Sequence, residues 1–346
     1  MVLEKLHLLN FRNFQDELIL FPENNIVRIF GSNGSGKTNL LEAIYILYTT
    51  RSFRNKKTLK DCVREGGEQF FHLAADIQGT RHGITFSKEK FEKSLIIDQE
   101  RVKSLVFIQK KNILHFSPEE SYLFFLSQEF RRSLMDRYIC AFDFKYLDQL
   151  IQYNHLRTRK VQILFSKTLR KKPLLMLETP PFLEISRAIS SSRMLFMEKM
   201  NPIFQKFLQI FNNKLGNAQL VYRKRNIPED FVDKEILAER VLYGCHKDEL
   251  DILERKKDIR QFFSNGEKKA INLAFHFAFM EFIKEKLAVS CLVCLDDIES
   301  ELDKKTLENI LGIIETSTSQ FIITSKLTDQ ATKSDILLED GKIFQP

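Results

Sequence analysis
Gly31-Ser32-Asn33-Gly34-Ser35-Gly36-Lys37-Thr38 fits the phosphate-binding loop pattern G-x-x-x-x-G-K-[ST] and stands where such a loop must stand, between a strand and a helix. Ahead of it, Ile26, Val27, Ile29 and Phe30 make a short apolar run that reads as a buried strand. Behind it, Leu40, Leu41, Ile44, Leu47 and Tyr48 recur at helical spacing. The glycines let the backbone turn so that successive N–H groups face phosphate oxygens, and the helix opening at Lys37 adds the positive end of its dipole. Lys37 is expected to reach the β- and γ-phosphates of a nucleoside triphosphate, with the Thr38 hydroxyl on its Mg2+. A glycine-rich turn without a ligand is the competing reading. At average glycine usage, a chance match in a chain of this length is on the order of one in a hundred.

A phosphate loop alone cannot position a metal ion and a water, so a second element is required. Leu292-Val293-Cys294-Leu295-Asp296-Asp297 supplies it. Four apolar residues predict a buried strand that delivers two carboxylates at its carboxyl end, the side of an α/β sheet where ligands bind. Asp296 is expected to hold Mg2+, directly or through water, and Asp297 to polarise the attacking water.

The 346 residues, 43% of them apolar, suffice for one large or two ordinary domains with a sizeable core. Five scattered cysteines, and no amino-terminal apolar segment ahead of a small-residue cleavage site, lead us to expect a reducing cytosol. Cys291 and Cys294 form a C-x-x-C inside an apolar run, Leu287 to Leu295, that reads as a buried strand, with no second Cys or His pair at zinc spacing. No stretch approaches the roughly 18 apolar residues that span a bilayer. Fifty-three Lys and Arg against 46 Asp and Glu leave a net charge of +7, which permits nucleic-acid binding without requiring it.

Strand-like patterns run through residues 1–30 and recur at Ala74–Gln78 and His82–Phe86; helix formers take over from about Glu119. Two long helices are expected, Phe142–Lys171 and Pro181–Lys214, with a break from Pro173 to Pro181 and a kink at Pro202. Irregular apolar spacing, interrupted at Asn154 and Ser190–Ser192, favours a compact helical lobe over a coiled coil. Alternating strands and helices return after Leu220, and the chain closes in a hairpin around Asp340-Gly341. The expected fold is α/β: a P-loop ATPase head with a mixed β-sheet lobe, residues 1–118 and 216–346, and an inserted, mostly helical lobe, residues 119–215.

Phe263-Ser264-Asn265-Gly266-Glu267 opens a helical run before the acidic strand, and Ser300-Glu301-Leu302-Asp303 follows it. A Ser-x-Gly-Glu/Gln turn, an acidic strand end and a Leu-Asp loop, in that order, resemble ATPase heads of the ABC type. Further stretches narrow the resemblance: Asn10-Phe11-Arg12-Asn13, Gly31 to Asn39 with Leu41-Glu42-Ala43-Ile44-Tyr45, Arg51-Ser52-Phe53-Arg54, Phe116-Ser117-Pro118-Glu119, Arg131-Arg132 with Asp136, and Gly244 with His246-Lys247-Asp248. Together with a helical insert far too short for an SMC-type arm, they make the chain similar to the RecF family of bacterial DNA replication and repair proteins, within the SMC/ABC-type heads.

That resemblance implies ATP and Mg2+ as cofactors. It implies nucleotide contacts from Arg12, Asn13, Gly31, Ser32, Asn33, Gly34, Ser35, Gly36, Lys37, Thr38 and Asn39, and from Ser264, Gly266 and Asp303, the signature serine and glycine reaching the γ-phosphate of a neighbouring subunit. It implies an ATP-dependent homodimer that holds duplex or gapped DNA, assists recombinase loading with RecR and RecO, and lets go on slow hydrolysis.

Four departures from the family pattern accompany it. Glu267 stands where glutamine is usual, Cys245 where proline is typical, and Leu126-Ser127-Gln128 replaces a glycine-containing turn; Ile113 and Leu114 lie where a lobe-linking glutamine is expected. They keep open an alternative, a degenerate head that binds nucleotide as a scaffold with little turnover. A transport-type ABC subunit is a further rival, disfavoured because Asp297 stands where transporters ordinarily carry glutamate. For DNA contact, two basic clusters are expected: Arg51, Arg54, Lys56, Lys57 and Lys60 after the first helix, and Arg157, Arg159, Lys160, Lys167, Arg170, Lys171 and Lys172 along the helical lobe.

Overall fold
The computed structural model describes residues 2–55, 58–109, 111–254, 257–258, 263–300, 302–326 and 335–345. Lys56, Lys57 and Glu301, named above, lie outside them. The chain forms two compact units, Met1–Ser121 with Ile283–Pro346, and Tyr122–Phe282.

The first unit opens with β1 (Leu3–Phe11), β2 (Phe14–Leu20) and β3 (Ile26–Gly31), then the loop and α1 (Lys37–Thr49). It continues through β4 (Phe70–Ile77), β5 (Thr80–Ser87), β6 (Glu92–Ile97), β7 (Glu100–Arg101), the short α2 (Ser104–Ile108) and β8 (Ile113–Phe116). β2-β1-β4-β5-β6-β7 make an antiparallel sheet. Its inward positions alternate along β1, where Leu6 and Leu8 are buried and His7 and Leu9 only partly so, the period-2 signature of a sheet with one wet face.

The chain then leaves along α3 (Pro118–Leu126) for the second unit: α4 (Gln128–Cys140), α5 (Phe144–Phe165), α6 (Lys171–Phe211), β9 (Gln219–Arg223), α7 (Phe231–Ala238), β10 (Glu249–Glu254) and β11 (Lys257–Asp258). α8 (Asn265–Leu287) leads out again. The helical break expected from Pro173 to Pro181 is absent: α6 begins at Lys171 and runs on through Pro180, Pro181 and Pro202. Pro173 falls in the first turn, where its missing N–H has no intrahelical partner to lose. Past it, buried Leu175, Phe182, Ile189 and Phe196 hold the helix despite the lost bonds. α5 ends at Phe165 rather than Lys171, and α5 and α6 pack against each other as the core of this lobe.

Residues 216–282, which strand–helix alternation assigned to the head, sit in the second unit. The reason is that, among the described residues, β9, β10 and β11 form their own antiparallel sheet, and β9 packs on α6. Two departures from the family pattern have local explanations here. Ser127, in place of a glycine turn, caps α4 by accepting from the Phe130 N–H (3.1 Å), and the Gln128 amide ties α4 to Leu250 N and Asp251 Oδ1 at 2.9 Å each. Cys245, in place of proline, donates its N–H to Ser186 Oγ at 2.7 Å, a bond proline could not make. Gly244 beside it has φ 127°, and an added Cβ would lie 2.6 Å from Tyr153 Oη.

Back in the first unit, β12 (Leu292–Asp296), α9 (Lys304–Thr316), β13 (Gln320–Lys326), β14 (Ile336–Glu339) and β15 (Lys342–Phe344) complete the fold. The apolar run from Leu287 is strand only from Leu292, because α8 takes Leu287 as its last residue. β15-β14-β3-β13-β12-β8 form the second sheet, parallel except for the terminal hairpin. α1 packs against strands of both sheets, which is why Leu40 through Tyr48 are all buried instead of showing one apolar stripe. Leu40, Leu41, Ile44, Ile46 and Leu47 are each 0% exposed. At about 1.5–3 kcal/mol per buried aliphatic side chain, they anchor the helix that carries the loop.

Candidate nucleotide-binding site
β3 is parallel to β13, β13 to β12, and β12 to β8, so their carboxyl ends lie on one edge of the sheet. The loop leaves β3 on that edge, and β12 delivers Asp296 there. Gly34 and Gly36 take φ of 86° and 113°, left-handed values that glycine adopts without strain. A Cβ at Gly36 would meet the Asn13 side chain at 2.5 Å. Gly34, Gly36, Lys37, Thr38 and Asp296 line a cleft of about 420 Å³ with Asn33, Asn39, Arg54, Pro118, Asp297, Thr324, Ser325 and Lys326.

The two halves meet directly. Thr38 Oγ1 donates to Asp296 Oδ2 at 2.8 Å, and Thr324 Oγ1 donates to Asp296 Oδ1 at 2.6 Å. Thr324 also accepts from the Asp297 N–H at 3.1 Å, fixing Asp297 in a left-handed turn with φ 48°. Sequence reading missed Thr324. Its signal was a hydroxyl residue closing the apolar run Phe321–Thr324, which the sheet places in register with Asp296.

Lys37 Nζ donates to the carbonyls of Gly31 (2.7 Å) and Ser32 (2.9 Å), so its ammonium lies across the mouth of its own loop. Desolvation pushes its pKa below the usual lysine range, Lys326 adds to this, and Asp296 and Asp297 oppose it. The donor set suits magnesium triphosphate: an ammonium and a helix start for polyphosphate, and a hydroxyl and a carboxylate 2.8 Å apart for a hard cation.

Behind the loop, Asn13 Nδ2 donates to Ser35 O (3.1 Å), Asn39 Nδ2 to Asn13 Oδ1 (2.7 Å), and Arg54 Nη1 to Asn39 Oδ1 (2.7 Å). The chain of contacts ends on Glu42, 0% exposed, which accepts from Arg54 at 3.3 Å and from Ser52. Arg12, expected to touch nucleotide, grips both Glu42 oxygens at 2.9 Å and is not among the residues that line the cleft. A fully buried carboxylate requires a cation, and Arg12 supplies it.

Asp303, also expected at the nucleotide, caps α9: its carboxylate accepts from Thr306 N (2.9 Å) and Thr306 Oγ1 (2.7 Å), which hold its pKa down. Ser264 and Gly266 lie in the second unit at the start of α8. Ser264 Oγ donates to Glu267 Oε2 (2.9 Å) and accepts from Glu267 N (3.3 Å), while Ser264 N–H reaches back to the same carboxylate (2.9 Å). This is a reciprocal capping box, and it gives Glu267, unusual at this position, a local role.

The cysteines of the C-x-x-C are buried free thiols, Cys291 pushed up to about 12 by desolvation and Cys294 further. No cluster of three metal-ligating side chains occurs among the described residues. Nor, among them, is any helix long and apolar enough to cross a membrane.

Residues 2–339 match the family described as RecF/RecN/SMC N terminal domain. Among curated proteins, the chain is 27% identical to the DNA replication and repair protein RecF of Prosthecochloris aestuarii, covering 98% of each chain. It is 29% identical to the protein of the same name from Carboxydothermus hydrogenoformans, covering 99% of this chain and 100% of that one. A structure of the recombination mediator protein RecF with ATP superposes with a TM-score of 0.86 at 23% identity, covering 99% and 97%. An Smc head domain from Pyrococcus furiosus gives 0.59 at 18%, covering 99% and 94%. The fold is therefore that of an ABC-type ATPase head, and the chain belongs to the RecF/RecN/SMC N-terminal domain family.

Proposed function
We propose that this chain is an ATP-dependent DNA-binding protein of recombinational repair and replication restart, in which ATP with Mg2+ joins two copies and the closed pair holds gapped or junction DNA to assist recombinase loading. The observation that carries this reading is the 2.8 Å bond from Thr38 to Asp296, which unites phosphate loop and acidic strand in one cleft. Its relatives' name, DNA replication and repair protein RecF, supports the cellular role. The RecFOR pathway named with the similar ATP-bound structure supports RecR and RecO as partners.

In this reading, the loop N–H groups and Lys37 bind the phosphates, Thr38 and Asp296 hold the metal, and Asp297 orients the attacking water. Magnesium would neutralise phosphate charge when bound. Ser264 and Gly266 of one copy would meet the nucleotide held by the other. Turnover is expected to be weak and DNA-stimulated. The test is retention of a duplex with a single-stranded gap: binding that is tighter with ATP than with ADP supports the reading, and equal binding with both refutes the switch.

A second reading, a nucleotide-binding scaffold with little turnover, is favoured by Glu267. Its carboxylate lies 2.9 Å from the signature serine hydroxyl, setting negative charge where a γ-phosphate would have to approach. Comparing ATP affinity with ATP turnover separates the two.

A further inference from the structure
The basic residues expected to track DNA along the helical lobe are largely spent on partners. Lys160 is fully buried on Glu235 at 2.9 Å, Arg159 pairs with Glu178 at 2.5 Å, Lys172 with Asp233 at 2.6 Å, and Lys171 lies 3.9 Å from Glu239. A different group of cations, which sequence reading did not single out, is gathered in the same unit. Arg223, Lys224, Arg225, Asn226, Lys247 and Glu249 line a cleft of about 320 Å³ where β9 ends and the 3₁₀ turn Cys245–Lys247 enters β10. Four cations there face one carboxylate.

The arrangement is built rather than incidental. Asp248, adjacent in sequence to Lys247 and only 2% exposed, has its carboxylate oxygens committed to other partners. Oδ2 accepts from Ser190 and Tyr222, and Oδ1 accepts the Arg225 N–H at 2.9 Å. Asp248 O takes Arg132 Nη1 at 2.7 Å. Asp248 therefore sets the Arg225 backbone and anchors the Arg132 guanidinium. Among the described residues, Arg223 is the lining cation that pairs with an acid, Asp251 at 3.5 Å.

Lys247, Arg225, Arg157 and Arg240 are all exposed. The Lys247 ammonium is pushed below the usual lysine range by partial desolvation first, then by Arg157, Arg240, Arg132 and Arg225. Like charges held this close raise one another's energy in the free protein and are relieved by an anion bound among them.

We infer that this cleft, centred on Lys247 and Arg225, is a seat for the phosphodiester backbone of duplex DNA. Phosphate is the anion that many cations can share along one surface, and binding there releases condensed counterions. Among the described residues, no aromatic ring lines the cleft, and those residues offer no stacking platform of the kind by which proteins hold unpaired bases. Contacts of this kind position DNA without reading its sequence. The inference rests on the DNA-binding reading above and assigns it a surface separate from the nucleotide cleft.

The test uses the full chain and a fluorescein-labelled duplex of about 30 base pairs, with anisotropy titrations at several salt concentrations. Each phosphate contact contributes about 0.9 to the slope of log K against log salt. Arg225→Ala with Lys247→Ala should weaken binding at least fivefold on two unrelated sequences and flatten the slope by up to about 2. ATP affinity and the thermal midpoint should be unchanged, and Lys171→Ala with Lys172→Ala should bind as the parent does. If the parent binds duplex and the Arg225/Lys247 variant binds equally with the same slope, this seat is refuted while the DNA-binding reading stands. If the parent does not bind duplex at low salt, both fall.

Discussion
Thr38 Oγ1 donates to Asp296 Oδ2 across 2.8 Å, joining the first turn of α1 to the end of β12, 258 positions later in the chain. Thr324 from β13 completes the clamp on the same carboxylate. Three separate segments thus fix one oxygen pair at the mouth of the phosphate loop, where a metal ion bridging protein and polyphosphate would have to sit.

Asp296→Asn should lower the affinity for ATP with magnesium at least tenfold while changing the affinity for ATP in excess chelator little. On the proposed reading, removing the charge would weaken metal binding, whereas Lys37 and the loop would still bind phosphate. Titration calorimetry with and without magnesium measures both. Equal losses in the two conditions would place Asp296 outside the metal site.

Glu267→Gln should raise ATP-dependent self-association about five- to tenfold. The amide keeps the capping geometry with Ser264 and removes a negative charge from the signature turn. Sedimentation at a series of protein concentrations gives the association constant, and an unchanged or weaker constant would show that the carboxylate does not oppose the nucleotide.

Lys160 and Glu235, both 0% exposed, pair at 2.9 Å beneath the Phe182 ring, whose centroid is 4.6 Å from the ammonium. Glu235 also accepts from Leu242 N at 2.9 Å, tying α7 to the loop after it. Lys160→Met leaves a buried carboxylate unpaired and should cost about 3–5 kcal/mol in urea unfolding. Adding Glu235→Leu should restore much of that loss. A single variant as stable as the parent would contradict the pairing.

His246 accepts from Tyr153 Oη on Nδ1 at 2.6 Å and faces Val241 O with Nε2 at 3.2 Å, the neutral tautomer. Desolvation first, then neighbouring cations, lower its pKa from 6.5 to about 4. The folded value is depressed, so its contribution to stability is fully present above the unfolded value and is lost as pH falls from about 6.5 towards 4. Urea midpoints of the parent should therefore drop more between pH 7 and pH 5 than those of His246→Gln. Parallel curves for the two proteins would remove His246 from the acid response.

Much of the first unit was legible because its signals are local. Gly31 to Thr38 dictates a strand–loop–helix, and Leu292 to Asp297 reads as a strand with an acidic end. The closing hairpin around Asp340-Gly341 stands as expected. What escaped depended on long-range partners. The Arg12–Glu42 pair exists because the packed helix buries Glu42, and Thr324 meets Asp296 through the register of β13 with β12. α6 persists through prolines because the packing of its neighbours outweighs local propensity, and Lys160 is a core residue although its sequence surroundings read as a basic surface.

The most direct test of the account is sedimentation velocity of the full chain with ATP and magnesium, beside the same protein without nucleotide and a Lys37→Met variant. The account requires a monomer that becomes a dimer only when ATP and magnesium are present and Lys37 is intact. ATP binding confirmed by calorimetry with no change in mass, or a Lys37→Met protein that dimerises as the parent does, would contradict it.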